Sequence, residues 1–265
     1  MKTRLLLFIS IAICTCLTAQ DPKPERESYF FLGLALPLVK VRDEAHSPLT
    51  YRGVASSLRL GRETINGDFV SRTTISATFG TAKPKTRPKP ERTLSGVEIS
   101  GLQINYTYYK QVGNYYTEGW NRYFGGALTL TLDSRSYNLP SNNLLGYQFN
   151  LSLNAGGFTQ KKLNAKWRFN YEVFTPLLSY SLRPTYLGML PMQGTDISPK
   201  NVFSNGKIVT VDKLFRLYNR FSFDEQFKSY RARRLFYEWD FHNNLVSKPL
   251  KSIVTGIGYE SLFKL

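Results

Sequence analysis

Cysteine is confined to Cys14 and Cys16, and histidine to His46 and His242, in a chain of 265 residues. Both cysteines fall inside an N-terminal leader, so once it is removed neither disulfides nor thiol chemistry remain. Two histidines with no cysteine and no clustered carboxylates form no metal-ligand pattern. No glycine-rich phosphate loop is present either, because Gly125-Gly126 and Gly156-Gly157 lie in strand-like segments, where glycine marks bulges or tight curvature. No cofactor is therefore expected. Beyond the leader there is no run of 18 apolar residues, and mean hydropathy is −0.29. These absences exclude a helical membrane protein but not one that crosses with strands, since only alternate residues of a strand meet lipid. Acidic residues number 19 against 35 basic ones, a formal charge of +16. Nucleic acid is a poor partner for that excess, because an exported chain rarely meets it.

The leader reads as a secretory signal over residues 1–19. Lys2 and Arg4 supply the positive start, Leu5 to Leu17 the apolar stretch, and Leu17-Thr18-Ala19 a cleavage site before Gln20. The apolar stretch is too short to span a bilayer as a helix. No lipoprotein box follows either cysteine, so no lipid anchor is expected. Residues 20–265 remain as one domain.

What is abundant is alternation. The segment from Ile253 to Leu265 sets Ile257, Tyr259 and Phe263 on one face against Gly256, Gly258 and Glu260 on the other. Nine further segments behave alike, at about 29–38, 54–61, 68–81, 102–108, 128–133, 147–156, 163–171, 215–221 and 234–241. Residues 212–218 also fit the start of a short helix. The 17 Tyr and 18 Phe suit strands and interfacial aromatic girdles. The predicted fold is all-β, a transmembrane antiparallel up-and-down β-barrel of about ten strands; one hairpin more or fewer gives 12 or 8.

Connections support this. With both termini on one side, the turns there are Thr64–Gly67, Val112–Trp120, Phe158–Lys161 and Ser222–Glu225, and Asn66-Gly67 is a hairpin signal. The other side receives long loops at Lys40–Arg52, Ala82–Ser95, Ser134–Leu144, Arg183–Gly206 and His242–Leu250. Short turns on one side and long loops on the other are the habit of outer-membrane barrels.

Three sets of residues are candidates for function. The inward face carries Arg59, Arg72, Arg135, Lys166, Arg168, Arg216, Arg220, Arg234 and Lys264 beside Glu63, Asp133, Glu172, Glu238, Asp240 and Glu260. A ring of charge tunes selectivity in an open pore, so Arg168, Arg216, Arg220 and Arg234 are candidates for an anion filter. Yet about eight to ten strands leave a lumen that side chains fill, and there the same charges would zip together. The second set lies in the proline-spaced stretch from Lys83 to Arg92. Lys83, Lys85, Arg87, Lys89 and Arg92 on an extended, polyproline-like arm suit contacts with lipopolysaccharide phosphates, an acidic polysaccharide or an acidic partner. The alternative is a solvated arm that discourages aggregation; Arg231, Arg233 and Arg234 pose the same choice. The third set is His46 with Ser47, and His242 with Asp240, Asn243 and Asn244, where a barrel hydrolase would need a nucleophile, a base and an orienting group. No catalytic residue is assigned.

The stretches Glu172 to Tyr186 and Arg234 to Phe241, with Gly256 to Tyr259, resemble uncharacterised outer-membrane β-barrels of Bacteroidota-type bacteria. The Thr18-Ala19-Gln20 junction is similar to signal ends in that group. The resemblance implies a fold and an outer-membrane location and carries no activity. The expectation is a monomeric barrel with a largely filled lumen, acting as a structural or interaction protein through basic surface loops on outer-membrane lipid, lipopolysaccharide, polysaccharide or a protein partner. The alternatives are a narrow anion channel and a lipid- or glycan-modifying barrel enzyme.

Overall fold

The computed structural model describes residues 26–45, 47–84, 96–112, 120–137, 145–183, 206–246 and 248–265. The leader, His46, and Lys85, Arg87, Lys89 and Arg92 lie outside the described residues. Among the described residues eleven strands follow one another: β1 (Glu27–Asp43), β2 (Ser47–Asn66), β3 (Phe69–Pro84), β4 (Val97–Gln111), β5 (Trp120–Tyr137), β6 (Leu145–Lys162), β7 (Trp167–Leu182), β8 (Lys207–Thr210), β9 (Leu214–Lys228), β10 (Arg231–Asn244) and β11 (Leu250–Lys264). Each pairs antiparallel with its neighbours, and β1 closes on β11 from Tyr29 opposite Lys264 to Asp43 opposite Leu250. β8 and β9 share the same edge of β7, separated by a turn at Val211–Lys213, so they make one stave. The result is a closed ten-stave barrel. The segment that also suited a short helix is that turn followed by strand.

Side-chain alternation follows from the pleat. Phe30, Leu32, Leu34, Leu36 and Leu38 point out of the barrel while Tyr29, Phe31 and Ala35 are buried inside. Wherever the ten predicted segments are strand, they keep the face assigned to them by parity; the start of the seventh, residues 163–166, is a turn instead. The outward apolar run on β1 covers about 20–25 Å along the barrel axis, once a tilt near 40° is allowed for, which matches the apolar band of outer-membrane barrels. Leu34, in the middle of it, is 65 % exposed.

The strands run further than the apolar residues do. The loop expected at Lys40–Arg52 shrinks to residues 44–46, and that at His242–Leu250 to 245–249. Ser222–Glu225 is not a turn but part of β9, which turns instead at 229–230. The cause is the same throughout. Backbone ladder bonds need no apolar side chain, so a strand continues past its apolar run, with Lys40 and Arg42 on the outer face of β1, Lys251 on that of β11 and Asn243 on that of β10. Lys166, expected inside, sits in the turn at 163–166, where its own N–H and that of Trp167 donate to Asn164 Oδ1 at 2.8 and 2.9 Å. Longer connections still gather at the end opposite the termini, which is called the loop end below.

The register shifts at Arg42/Asp43 and at Arg231/Ala232, near the ends of their ladders, and two further features shape the wall. On β7 the register slips between Leu153 and Asn154 of its partner, with Pro176 opposite Asn154 and Leu178 opposite Leu153. Proline cannot donate to the ladder, and the bulge leaves Leu177 and Leu178 both pointing outward. The second is a glycine–aromatic pairing. Gly258 stands opposite Phe236, and a Cβ there would lie 2.3 Å from the Phe236 ring. Gly258→Val is therefore expected to expel that ring and lower stability by about 1–3 kcal/mol, read from the urea midpoint of the folded barrel; an unchanged midpoint would show that the ring does not lie over Gly258.

Candidate functional site

The inside of the barrel is polar where a soluble fold would be oily, and its charges are arranged in pairs. Arg234, on β10, is fully buried and donates to both oxygens of Glu63 at 2.8 and 2.9 Å and to Asp224 at 2.6 and 2.8 Å. Glu63 also accepts from Arg72 Nε at 2.5 Å, and Arg72 reaches across the lumen from β3 to Glu172 on β7 at 2.8 Å. Tyr109 donates its hydroxyl to Glu172 as well, at 3.1 Å. Buried Glu260 takes Arg220 at 2.7 Å, with Arg234 and Arg59 at 3.5 and 3.6 Å. Arg59 bonds Glu238 at 2.5 Å, and Phe236 packs against both Arg59 and Arg220, whose guanidinium carbons are 4.8 and 4.1 Å from its ring centre.

Glu63–Arg72, Arg234–Asp224 and Arg234–Glu260 join opposite residues of neighbouring strands, whereas Arg234–Glu63, Arg72–Glu172, Arg220–Glu260 and Arg59–Glu238 join strands that share no ladder; the second set carries the first across the lumen as a septum. Cavities lie on either side. The one toward the loop end is about 150 Å³, lined by Arg59, Gln103, Asp133, Arg216, Asp240 and His242 among others. The one toward the termini is about 90 Å³, lined by Glu27, Tyr29, Arg168 and Asp224 among others. No residue lines both. At the loop end Asp43 is held by Arg183 and faces Arg135 at 3.6 Å, above an apolar cluster of Val41, Tyr51, Ala82, Val97, Tyr137 and Leu250.

The four arginines that composition offers as an anion filter are all inside, and each is engaged. Arg168 pairs with Glu27 at 3.0 Å, Arg216 binds Asp240 through two nitrogens at 2.6–3.1 Å, and Arg220 and Arg234 belong to the septum. His242, expected beside a loop, is on β10 and lines the larger cavity with Asp133 and Asp240. Its Nε2 has no hydrogen-bond partner among the described residues, so no bond there joins it to a hydroxyl.

Of the basic arm only Lys83 is described. It is exposed on the outer wall of β3 and stands directly opposite Arg52 of β2, which in turn stands opposite Lys40 of β1. One step nearer the loop end, Arg42 faces Lys251 of β11. Reading Lys40–Arg52 as a loop hides this cluster. Continuing the parity of Leu36 and Leu38 through Lys40 and Arg42 would have placed two of its members on the wall.

No family model matches the chain, and no curated protein matches it. In fold it is similar to the outer-membrane protease OmpT of Escherichia coli, with a TM-score of 0.56 at 7 % identity, covering 95 % of this chain and 99 % of that one. Further similar structures are Neisserial surface protein A (TM-score 0.33, 9 % identity, 87 % and 95 % covered) and an outer-membrane channel of Pseudomonas putida F1 (0.38, 9 %, 93 % and 100 %). At 7 % identity the likeness to OmpT is one of fold alone: an all-β, closed antiparallel barrel.

Proposed function

We propose that the chain resides in the bacterial outer membrane as a barrel closed by its septum. Its work is done at the loop-bearing rim, which faces outward. Basic side chains there hold an anionic glycolipid, an acidic polysaccharide or an acidic partner. The observation that carries this reading is the contrast between the two sides of the wall. Among the described residues every inward arginine has a carboxylate within ion-pair distance, whereas outward Lys40, Arg52, Lys83 and Lys251 have none. Charge already neutralised in the lumen leaves little to attract a passing anion, and unneutralised charge at a rim attracts one at short range.

The test neutralises the arm as a set. Lys83→Gln, Lys85→Gln, Arg87→Gln, Lys89→Gln and Arg92→Gln together should weaken binding of the refolded barrel to immobilised acidic polysaccharide and to vesicles containing phosphorylated glycolipid. Wild-type binding should fall steeply between low and physiological salt, because the contact is electrostatic. Binding that survives both the substitutions and the salt would overturn the reading.

A further inference from the structure

We propose that Lys40, Arg42, Arg52, Lys83 and Lys251 form a site on the outer wall for the phosphate groups of a glycolipid in the surrounding leaflet. The proposal rests on the rim reading above and narrows it from contacts of the basic arm to a place on four neighbouring strands.

Register is the first ground. Lys83, Arg52 and Lys40 are successive partners across β3, β2 and β1, and Arg42 and Lys251 are partners across β1 and β11. Side chains directly opposite on one face stand about 4.5–5.5 Å apart at Cβ, and like charges so placed repel. A strand pair relieves such repulsion by drawing an anion between the charges. Two acids are near. Glu44 takes Arg42 at 3.2 Å, and Glu98 of β4 faces Thr81, two residues from Lys83. Neither stands among Lys83, Arg52 and Lys40.

The opposite rim shows that such stacking is not what basic outer faces do generally. Arg62 faces Phe30 and Thr73, Lys110 faces Phe69 and Phe124, Arg122 faces Thr159, and Lys161 faces Trp120 and Phe169. Where Lys228 and Arg231 do meet, at the β9–β10 hairpin, aromatic rings take them: Tyr230 at 5.7 Å and Phe263 at 5.0 Å. The loop-end row has no ring of that kind among the described contacts.

The second ground is what lies beneath the row. Leu38, Val54, Leu36, Phe79 and Ile257 continue it toward the middle of the apolar band, all more than half exposed on the outer face. A molecule fitting both parts carries phosphate at one end and acyl chains at the other, with its head at the edge of the band. A soluble polysaccharide has no use for the apolar rungs, and free phosphate does not reach them.

The experiment compares the refolded barrel in neutral detergent with and without a bisphosphorylated lipid A, using the same lipid stripped of phosphate as its control. Three variants are read against wild type: Lys40→Gln/Arg52→Gln/Lys83→Gln on the wall, Lys85→Gln/Arg87→Gln/Lys89→Gln/Arg92→Gln on the arm, and Arg62→Gln/Arg122→Gln/Lys161→Gln on the opposite rim. Binding is measured by native mass spectrometry and stability by the temperature at which heat-modifiable mobility is lost. The wall variant should bind the phosphorylated lipid about 100-fold more weakly, and the opposite-rim variant should bind it as wild type does. The wall variant should also be the more heat-stable in neutral detergent, where repulsion is relieved, and the less heat-stable once the lipid is added. That reversal of order separates a ligand site from a fold defect. Wall and wild-type barrels binding alike, with loss confined to the arm variant, would overturn the wall site and leave the rim reading standing. Displacement of the lipid by millimolar inorganic phosphate would overturn the glycolipid assignment. A wild type indifferent to the phosphates would overturn this site, and indifference to acidic polysaccharide as well would overturn the rim reading with it.

Discussion

Arg234→Met is expected to destabilise the refolded barrel by about 3–5 kcal/mol, more than any other single change considered. The guanidinium is fully buried and serves Glu63, Asp224 and Glu260 together. Methionine fills much of the same volume, so the loss is electrostatic. Glu63 keeps only Arg72, and Asp224 keeps the Asn170 amide at 2.9 Å. Leaving buried carboxylates short of a partner costs far more than a surface charge does, whatever the net worth of the intact pairs. Urea unfolding followed by tryptophan fluorescence checks it, and adding Glu63→Gln and Asp224→Asn should recover part of the loss. A cost under about 1 kcal/mol, the ordinary range for surface positions, would mean that the septum does not hold.

The next largest effect is expected on the other face of the wall. Leu34→Arg puts a charge at the middle of the outward apolar band and should cost about 2–4 kcal/mol when the barrel is folded in a bilayer. Lys40→Leu, six residues along the same outer face, should change stability little, because it lies beyond the band. The pair of measurements locates the membrane on the barrel. Equal small effects at both positions would mean that residues 30–38 do not face hydrocarbon.

The fold was legible because the pleat converts sequence parity into sides. Leu34 and Gly33, or Leu235 and Arg234, go to opposite faces whatever the register, so alternation alone sorted lumen from outer wall wherever a segment is strand, and failed at Asn164 and Lys166, which lie in a turn. Strand ends were not legible, since reading them from apolar residues stops at Leu38 and Phe241. The ladder carries Lys40, Arg42 and His242 onward as strand. Nor was the pairing inside the barrel. Arg234 and Glu63 are 171 positions apart and meet only after β1 has closed on β11, a register that no local pattern specifies. The same holds for the outer row: Lys83, Arg52 and Lys40 read as scattered loop charges until two registers bring them level. Sequence thus showed which side a charge on a strand takes and left its neighbours to closure of the barrel.

The most direct test of a barrel divided by an ion-paired septum is single-channel conductance of the refolded chain in a planar bilayer, first in symmetric and then in asymmetric salt. The expected result is electrical silence from a folded, heat-modifiable barrel, with Arg234→Met the variant most prone to leak. Steady, anion-selective openings from wild type would contradict the septum and return Arg168, Arg216, Arg220 and Arg234 to the role of a filter.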